Sequence, residues 1–266
     1  MAKNYSTNNS IQLIHSGTDF FDTVCRMIDS AKKSVHLHTY IFSNDETGTR
    51  VAACLAAAAK RKVDVFLLID GYASQDLPDE FIHRLEEAGV QFRFFEPLFQ
   101  SKHLYFGRRL HHKVVVIDGA CSMVGGMNIA DRYNAVGGQP AWFDLALYVE
   151  GPASAELLEI CQQLWSKKRR LKRSQKKTQG AAREQQEHAG IRIRRNDWVK
   201  RKQEISSTYM ELFRTAEDSI TIMCSYFLPG GVFRKQLKRA VARGVKVKVI
   251  LASMSDVPVS LSLIHI

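Results

Sequence analysis

Five residue types at fixed spacing could do chemistry together: His111 and Lys113, then Asp118, then Gly125, Gly126 and Asn128. An imidazole can attack phosphorus and later be displaced, which is nucleophilic catalysis. An ammonium and a carboxamide can hold the non-bridging oxygens of a phosphodiester, where negative charge builds in the transition state. Two adjacent glycines let backbone come close to an anion. The set suits transfer of a phosphodiester group, and the scheme calls for no metal and no cofactor.

A strand must carry these residues. Side chains alternate faces along a strand, so His111 and Lys113 share one face, roughly 7 Å apart. His112, Val114 and Val116 take the other. Asp118-Gly119 signals a tight hairpin turn. With a two-residue turn, Ile117 pairs with Ala120, Lys113 with Val124 and His111 with Gly126. Asn128 then emerges beside His111. The segment before the motif, residues 96–110, holds Lys102, His103, Arg108 and Arg109, cations next to the expected phosphate site. His103, His111 and His112 could suggest a metal cluster, but His111 and His112 face opposite ways on a strand, so no metal site is expected.

Around the motif the pattern alternates. Apolar runs at 11–14, 34–42, 63–69, 90–95 and 145–149 read as strands. Helical spacing appears at Phe21, Val24, Cys25 and Ile28, at 48–61, and at Phe81, Ile82 and Leu85. The alternation predicts an α/β layered fold, a mixed and mainly parallel sheet flanked by helices. Leu157, Cys161, Leu164 and Trp165 form one more helical stripe.

The pattern then restarts. Residues 31–37 (AKKSVHL) resemble 216–222 (AEDSITI), Phe42 matches Phe227, and 61–65 (RKVDV) resemble 243–247 (RGVKV). This internal repeat predicts two similar lobes, a first at 11–165 and a second at 191–260, with a loose tail at 1–10 and a basic linker at 166–190. The second lobe is expected to be incomplete, with no second His-x-Lys set. The last six residues, 261–266 (LSLIHI), are what a transposon-end sequencing adapter encodes, so we expect native sequence to end near Ser260.

Of the formal charge of +11, eight positive charges lie in residues 167–177 (Lys167, Lys168, Arg169, Arg170, Lys172, Arg173, Lys176 and Lys177). The basicity belongs to that segment more than to the fold. It could attract anionic lipid head groups or grip nucleic acid through its phosphates. The five cysteines show no paired spacing, which argues against a zinc site or a disulfide framework and fits a reducing compartment. No signal peptide is visible, and no apolar run approaches the ~18 residues of a membrane span.

The spaced set resembles the motif of the phospholipase D superfamily: His-x-Lys, four residues, Asp, six residues, Gly-Gly-x-Asn. The resemblance implies a histidine nucleophile at His111, phosphate contacts from Lys113, Gly125, Gly126 and Asn128, and a mainly structural Asp118. Superfamily members also carry an acidic residue on the next strand that orients the imidazole, and Asp144 in Trp142-Phe143-Asp144 occupies that place. Further stretches, among them 39–42 (TYIF), 68–72 (LIDGY), 149–153 (VEGPA) and 225–230 (SYFLPG), resemble the bacterial cardiolipin synthase branch without N-terminal membrane helices. That implies phosphatidyl transfer between two phosphatidylglycerols. It also implies a peripheral position on the inner face of the cell membrane, reached through segment 167–177, and allows a homodimer that pairs two first lobes. A phosphodiesterase or nuclease acting on nucleic acid is the alternative within the superfamily, and a non-catalytic phosphate- or lipid-binding fragment the alternative outside it.

Overall fold

Strand and helix alternate through the first third of the chain, as its periodicity requires. The computed structural model of the protein describes residues 5–96, 109–166, 189–197 and 202–252. In order these form β1 (Ser6–His15), α1 (Thr18–Ser30), β2 (Ser34–Thr39), α2 (Glu46–Lys60), β3 (Asp64–Asp70), α3 (Asp79–Glu87) and β4 (Gln91–Phe95). After the loop come β5 (Val114–Ile117), β6 (Cys121–Gly125), a single 3-10 turn at Asp131–Tyr133, β7 (Leu145–Glu150), α4 (Pro152–Ser166) and β8 (Ala189–Ile191). The described chain divides into two compact units, residues 1–192 and 193–266.

In the first unit eight strands make one sheet in the order β4-β3-β2-β5-β6-β7-β1-β8. Parallel pairing is confined to β2–β3 and β3–β4, where helical crossovers join the strands. The other five neighbours run antiparallel. The mixed sheet thus has its parallel part only where strand–helix–strand units supply it. The motif side grows from hairpins, and a short turn can join only antiparallel strands.

Alternation along each strand separates two layers. Val35 and Leu37 of β2 and Val65, Leu67 and Ile69 of β3 are buried against Phe21, Val24 and Ile28 of α1 and Val51, Leu55 and Ala58 of α2. The intervening residues meet α4: Phe66 lies 5.2 Å from Trp165 ring to ring, and the Ser122 and Ser154 hydroxyls are 2.8 Å apart.

Two expectations change. The tail expected at 1–10 is strand from Ser6 onward. Polar side chains, not apolar ones, hold it: the buried Asn9 amide donates to Ser6 O (2.9 Å) and Ala189 O (3.3 Å) and accepts from Ala153 N (2.8 Å). The stretch expected to open the second lobe at 191 instead closes the first sheet, because β8 pairs with β1. The basic segment 167–177 and the expected non-native tail 261–266 lie outside the described residues.

The second unit contains β9 (Asn196–Asp197), β10 (Lys202–Gln203), α5 (Glu204–Thr215), β11 (Ser219–Cys224), α6 (Gly231–Ala242) and β12 (Lys246–Leu251). β11 and β12 are parallel, as β2 and β3 are. Two bonds recur at matching positions: Ile28 O and Phe213 O each accept from an arginine, and Lys33 O and Asp218 O each accept from a backbone N–H. The Arg61 guanidinium donates to Ile28 O and Asp29 O, both at 3.0 Å; that of Arg243 donates to Phe213 O (2.9 Å) and Ala216 O (3.1 Å). Asp64 N donates to Lys33 O, and Lys246 N to Asp218 O, each at 3.0 Å.

Candidate functional site

The motif hairpin differs from the expected one by a single residue. Asp118 (φ +55°) and Gly119 (φ +68°) do form the tight turn, with Ala120 N donating to Ile117 O at 2.9 Å. However, Ile117 pairs with Cys121, not Ala120, and Val114, not Lys113, faces Val124. Ala120 is an extra residue, a bulge of the kind that often follows such turns. Regular strand begins at Val114, so His111 and Lys113 sit on the approach to β5 and not within it.

Even so, the structure brings His111 and Lys113 together, over a residue the sequence reading did not single out. The Tyr40 ring lies 5.0 Å from the His111 ring and 5.1 Å from Lys113 Nζ. Lys113 Nζ also donates to His111 O at 3.2 Å. His111 keeps part of its ring open to solvent. The covered side lowers its pKa from the usual histidine value, the Lys113 charge lowers it further, and the Asp70 carboxylate opposes both. Desolvation brings Lys113 down to about 8, against the pull of Asp144 and Asp70. His112 acts on the other layer, where its charge bears on buried His38.

Asp118 reaches across to the start of β2. Its Oδ1 accepts from Lys33 N (2.8 Å) and Ser34 N (2.7 Å), and its Oδ2 from Lys32 N (2.9 Å). Its side chain points to backbone, away from the imidazole chemistry.

The glycines make room for a neighbouring strand. At Gly125 a Cβ would stand 2.6 Å from Ala146 Cβ, its partner on β7. At Gly126 a Cβ would overlap the Asp144 carboxylate, at 2.6 Å from its Cγ. Gly126 therefore admits Asp144 to the site. The backbone of Asp144 is fixed by two bonds with Ser16: its N–H donates to Ser16 Oγ (3.1 Å), and its carbonyl accepts from Ser16 N (3.0 Å). Its Oδ1 accepts from Leu145 N (2.7 Å), and its charge bears on Lys113.

Asn128 is buried, and its amide spans two loops. Oδ1 accepts from Ile41 N and Nδ2 donates to Tyr133 Oη, each at 3.0 Å. Because Ile41 follows Tyr40, Asn128 helps fix the ring on which His111 and Lys113 rest. Asp70, at the end of β3, is the other residue that spacing did not reveal. Its Oδ2 accepts from Leu110 N at 2.7 Å, immediately before His111. Lys102, His103 and Arg108 lie outside the described residues. Arg109 stacks on Tyr72, 4.8 Å from the ring centre.

Residues 24–165 match the family described as cardiolipin synthase, phospholipase D-like domain. The chain is 32% identical to cardiolipin synthase B of Shigella flexneri, over 97% of this chain and 63% of that protein. It is 29% identical to a cardiolipin synthase of Oceanobacillus iheyensis, over 96% of this chain and 53% of that one. The chain thus spans about three fifths or less of the length of these curated relatives. In fold it is similar to phosphatidylserine synthase of Haemophilus influenzae, with a TM-score of 0.66 and 16% identity over 91% of this chain and 61% of that one.

Proposed function

The chain belongs to the family of the cardiolipin synthase, phospholipase D-like domain, and on that premise we propose that it carries the nucleophilic half of a phosphatidyltransferase that joins two phosphatidylglycerols. His111 attacks the phosphorus of the first lipid, and glycerol leaves with a proton. The phosphatidyl-histidine formed is then attacked by a hydroxyl of the second lipid. That hydroxyl gives up its proton, the P–N bond breaks, and cardiolipin and free imidazole result. The proton exchanges call for a general acid and base, which the family resemblance assigns to a second histidine. This chain carries one His-x-Lys set.

The observation that carries this reading is the half-covered His111 beside Lys113 on Tyr40. A lowered pKa keeps the imidazole neutral, hence nucleophilic, at neutral pH. Lys113 holds a non-bridging oxygen, and Asp144 favours the charged form of that ammonium. Asp144 therefore acts on His111 through Lys113; among the described residues its carboxylate is bonded to Leu145 and not to the imidazole. Asn128 keeps one amide N–H beyond its bond to Tyr133 for a phosphate oxygen. The backbone N–H groups of Gly125 and Gly126 are committed to Lys113 O and Leu145 O, so the glycines serve the site by admitting β7.

Contact with the membrane is through anionic head groups and the basic segment 167–177 at the inner face. No helix among the described residues is long and apolar enough to cross a membrane. The test is conversion of phosphatidylglycerol to cardiolipin in vesicles by the complete gene product and its His111→Ala variant. We expect turnover to fall by at least about 10³-fold, as for loss of a nucleophile. Equal turnover in the variant rejects His111 as nucleophile. Cleavage of nucleic acid without lipid turnover assigns the site to a nuclease instead.

A further inference from the structure

The sequence reads Leu68-Ile69-Asp70-Gly71-Tyr72 as a strand running into a turn. An aspartate there ordinarily accepts from backbone N–H groups two and three residues on. Oδ1 of Asp70 does this, with Tyr72 N and Ala73 N, both at 3.0 Å. A surface turn needs no more than that. Yet Asp70 is fully buried, and its second oxygen reaches a chain segment 40 residues away, to accept from Leu110 N at 2.7 Å. Leu110 is itself buried, packed with Leu68 and Phe95 against Leu164 and Trp165. The residue that follows it is His111.

The same turn controls the other side of the imidazole. It closes at Ser74, whose N–H donates to Asp70 O at 3.2 Å. The Ser74 hydroxyl accepts from Phe42 N (3.0 Å) and donates to Tyr40 O (3.1 Å). Tyr40 is the ring against which His111 packs. Residues 70–74 therefore hold the backbone that delivers His111 and also the backbone that delivers its aromatic wall. Burying a carboxylate is costly without donors, and a turn alone does not require burial. The Asp70 carboxylate also bears on His111, where it favours the protonated ring.

We propose that Asp70 is the positioning residue for His111: through Leu110 and the 70–74 turn it sets the imidazole against Tyr40, and its carboxylate balances the positive charge that builds on the ring as nitrogen bonds to phosphorus. This rests on the reading of His111 as nucleophile and deepens it. The charged and titratable groups around His111 among the described residues are its chain neighbour His112, which acts on the other layer, and Lys113, Asp70 and Tyr40, with the Asp144 charge bearing on Lys113 and Arg109 stacked on Tyr72. Lys113 disfavours an imidazolium and Asp70 favours it.

The test is an NMR titration of this chain with labelled histidine, His111 being assigned by its loss in His111→Ala. Asp70→Asn retains an oxygen that can accept from Leu110 but removes the charge. The His111 pKa should fall by about half a unit or more, the size expected of one nearby charge at intermediate dielectric. An unmoved His111 titration in a folded Asp70→Asn variant overturns the proposal. If that variant does not fold, hydrogen exchange in the unaltered protein decides. The Leu110 amide should exchange at least about tenfold more slowly than an unstructured amide, and exchange at the unstructured rate overturns the proposal equally. The two readings fail separately: equal lipid turnover in His111→Ala sinks the nucleophile and leaves the Asp70 titration result standing.

Discussion

Gly126 is set by a carboxylate, not by a turn. The Asp144 side chain occupies the space a Cβ would take there. Gly126→Ala should therefore displace Asp144 and cost about 1–3 kcal/mol, typical of overfilling a packed position. A urea denaturation midpoint lower than that of the unaltered chain, with unchanged slope, checks this. Gly230→Ala is the control for steric crowding, since nothing lies within 4 Å of a Cβ there and its φ is −61°, which an alanine adopts freely. At this scale the meeting of His111 with Lys113 was legible in their spacing, and the structural place of Asp118 in the motif resemblance. Asp70 and Tyr40 were not. Nothing in LIDGY or TYIF marks a partner of His111, because their value comes from contacts that close across 40 and more residues.

Among the elements, the Asp118 hairpin shows where local signals stop. Asp-Gly predicted a two-residue turn, and both residues adopt the positive φ such a turn needs. The register still slipped by one, because Ala120 adds a bulge that no local preference demands. Asp118 also splints the start of β2, so Asp118→Ala should destabilise the first unit by about 1–3 kcal/mol, the loss of charge-assisted bonds to three N–H groups. Chemical denaturation measures it.

Strand β2 carries a second consequence. His36 and His38 are buried on its α4 side, and among the described residues His36 Nδ1 and both ring nitrogens of His38 lack hydrogen-bond partners. Burial lowers His36 to about 4 and His38 well below the ordinary value. The unfolded chain then binds protons that the folded chain refuses. Stability is complete above the unfolded value of 6.5 and falls as pH drops toward 4, by up to about 1.4 kcal/mol per pH unit for each histidine. Thermal melts between pH 7 and 5 should show this slope, and His36→Phe should flatten it. A slope unchanged by His36→Phe removes that histidine as its source.

For the whole molecule, the likeness of 31–37 to 216–222 in sequence has a counterpart in bonds that no pattern shows: Arg61 donates to Ile28 O near the end of α1, and Arg243 to Phe213 O near the end of α5. The division point was not legible in sequence. The pattern looks new from Ile191, but Ile191 ends a strand that pairs with β1, and strand pairing between distant segments leaves little trace in periodicity. Charge acts at this scale too. With +11 overall and most of it in one segment, binding to phosphatidylglycerol vesicles should weaken steeply between 0.1 and 1 M salt, as the screening length falls from about 10 to about 3 Å. Co-sedimentation follows this directly. Affinity indifferent to salt would reject the head-group contact.

The depressed Lys113 makes anion capture a proton-coupled event. A phosphate that settles on this ammonium stabilises its charged form and so raises its affinity for the proton. Below about pH 8 the side chain already holds that proton. Above it, each anion bound must draw one from the buffer, and affinity should decline by up to about tenfold per pH unit. Calorimetry in two buffers of different ionisation heat would count those protons: none at pH 6.5, a fraction approaching one at pH 9.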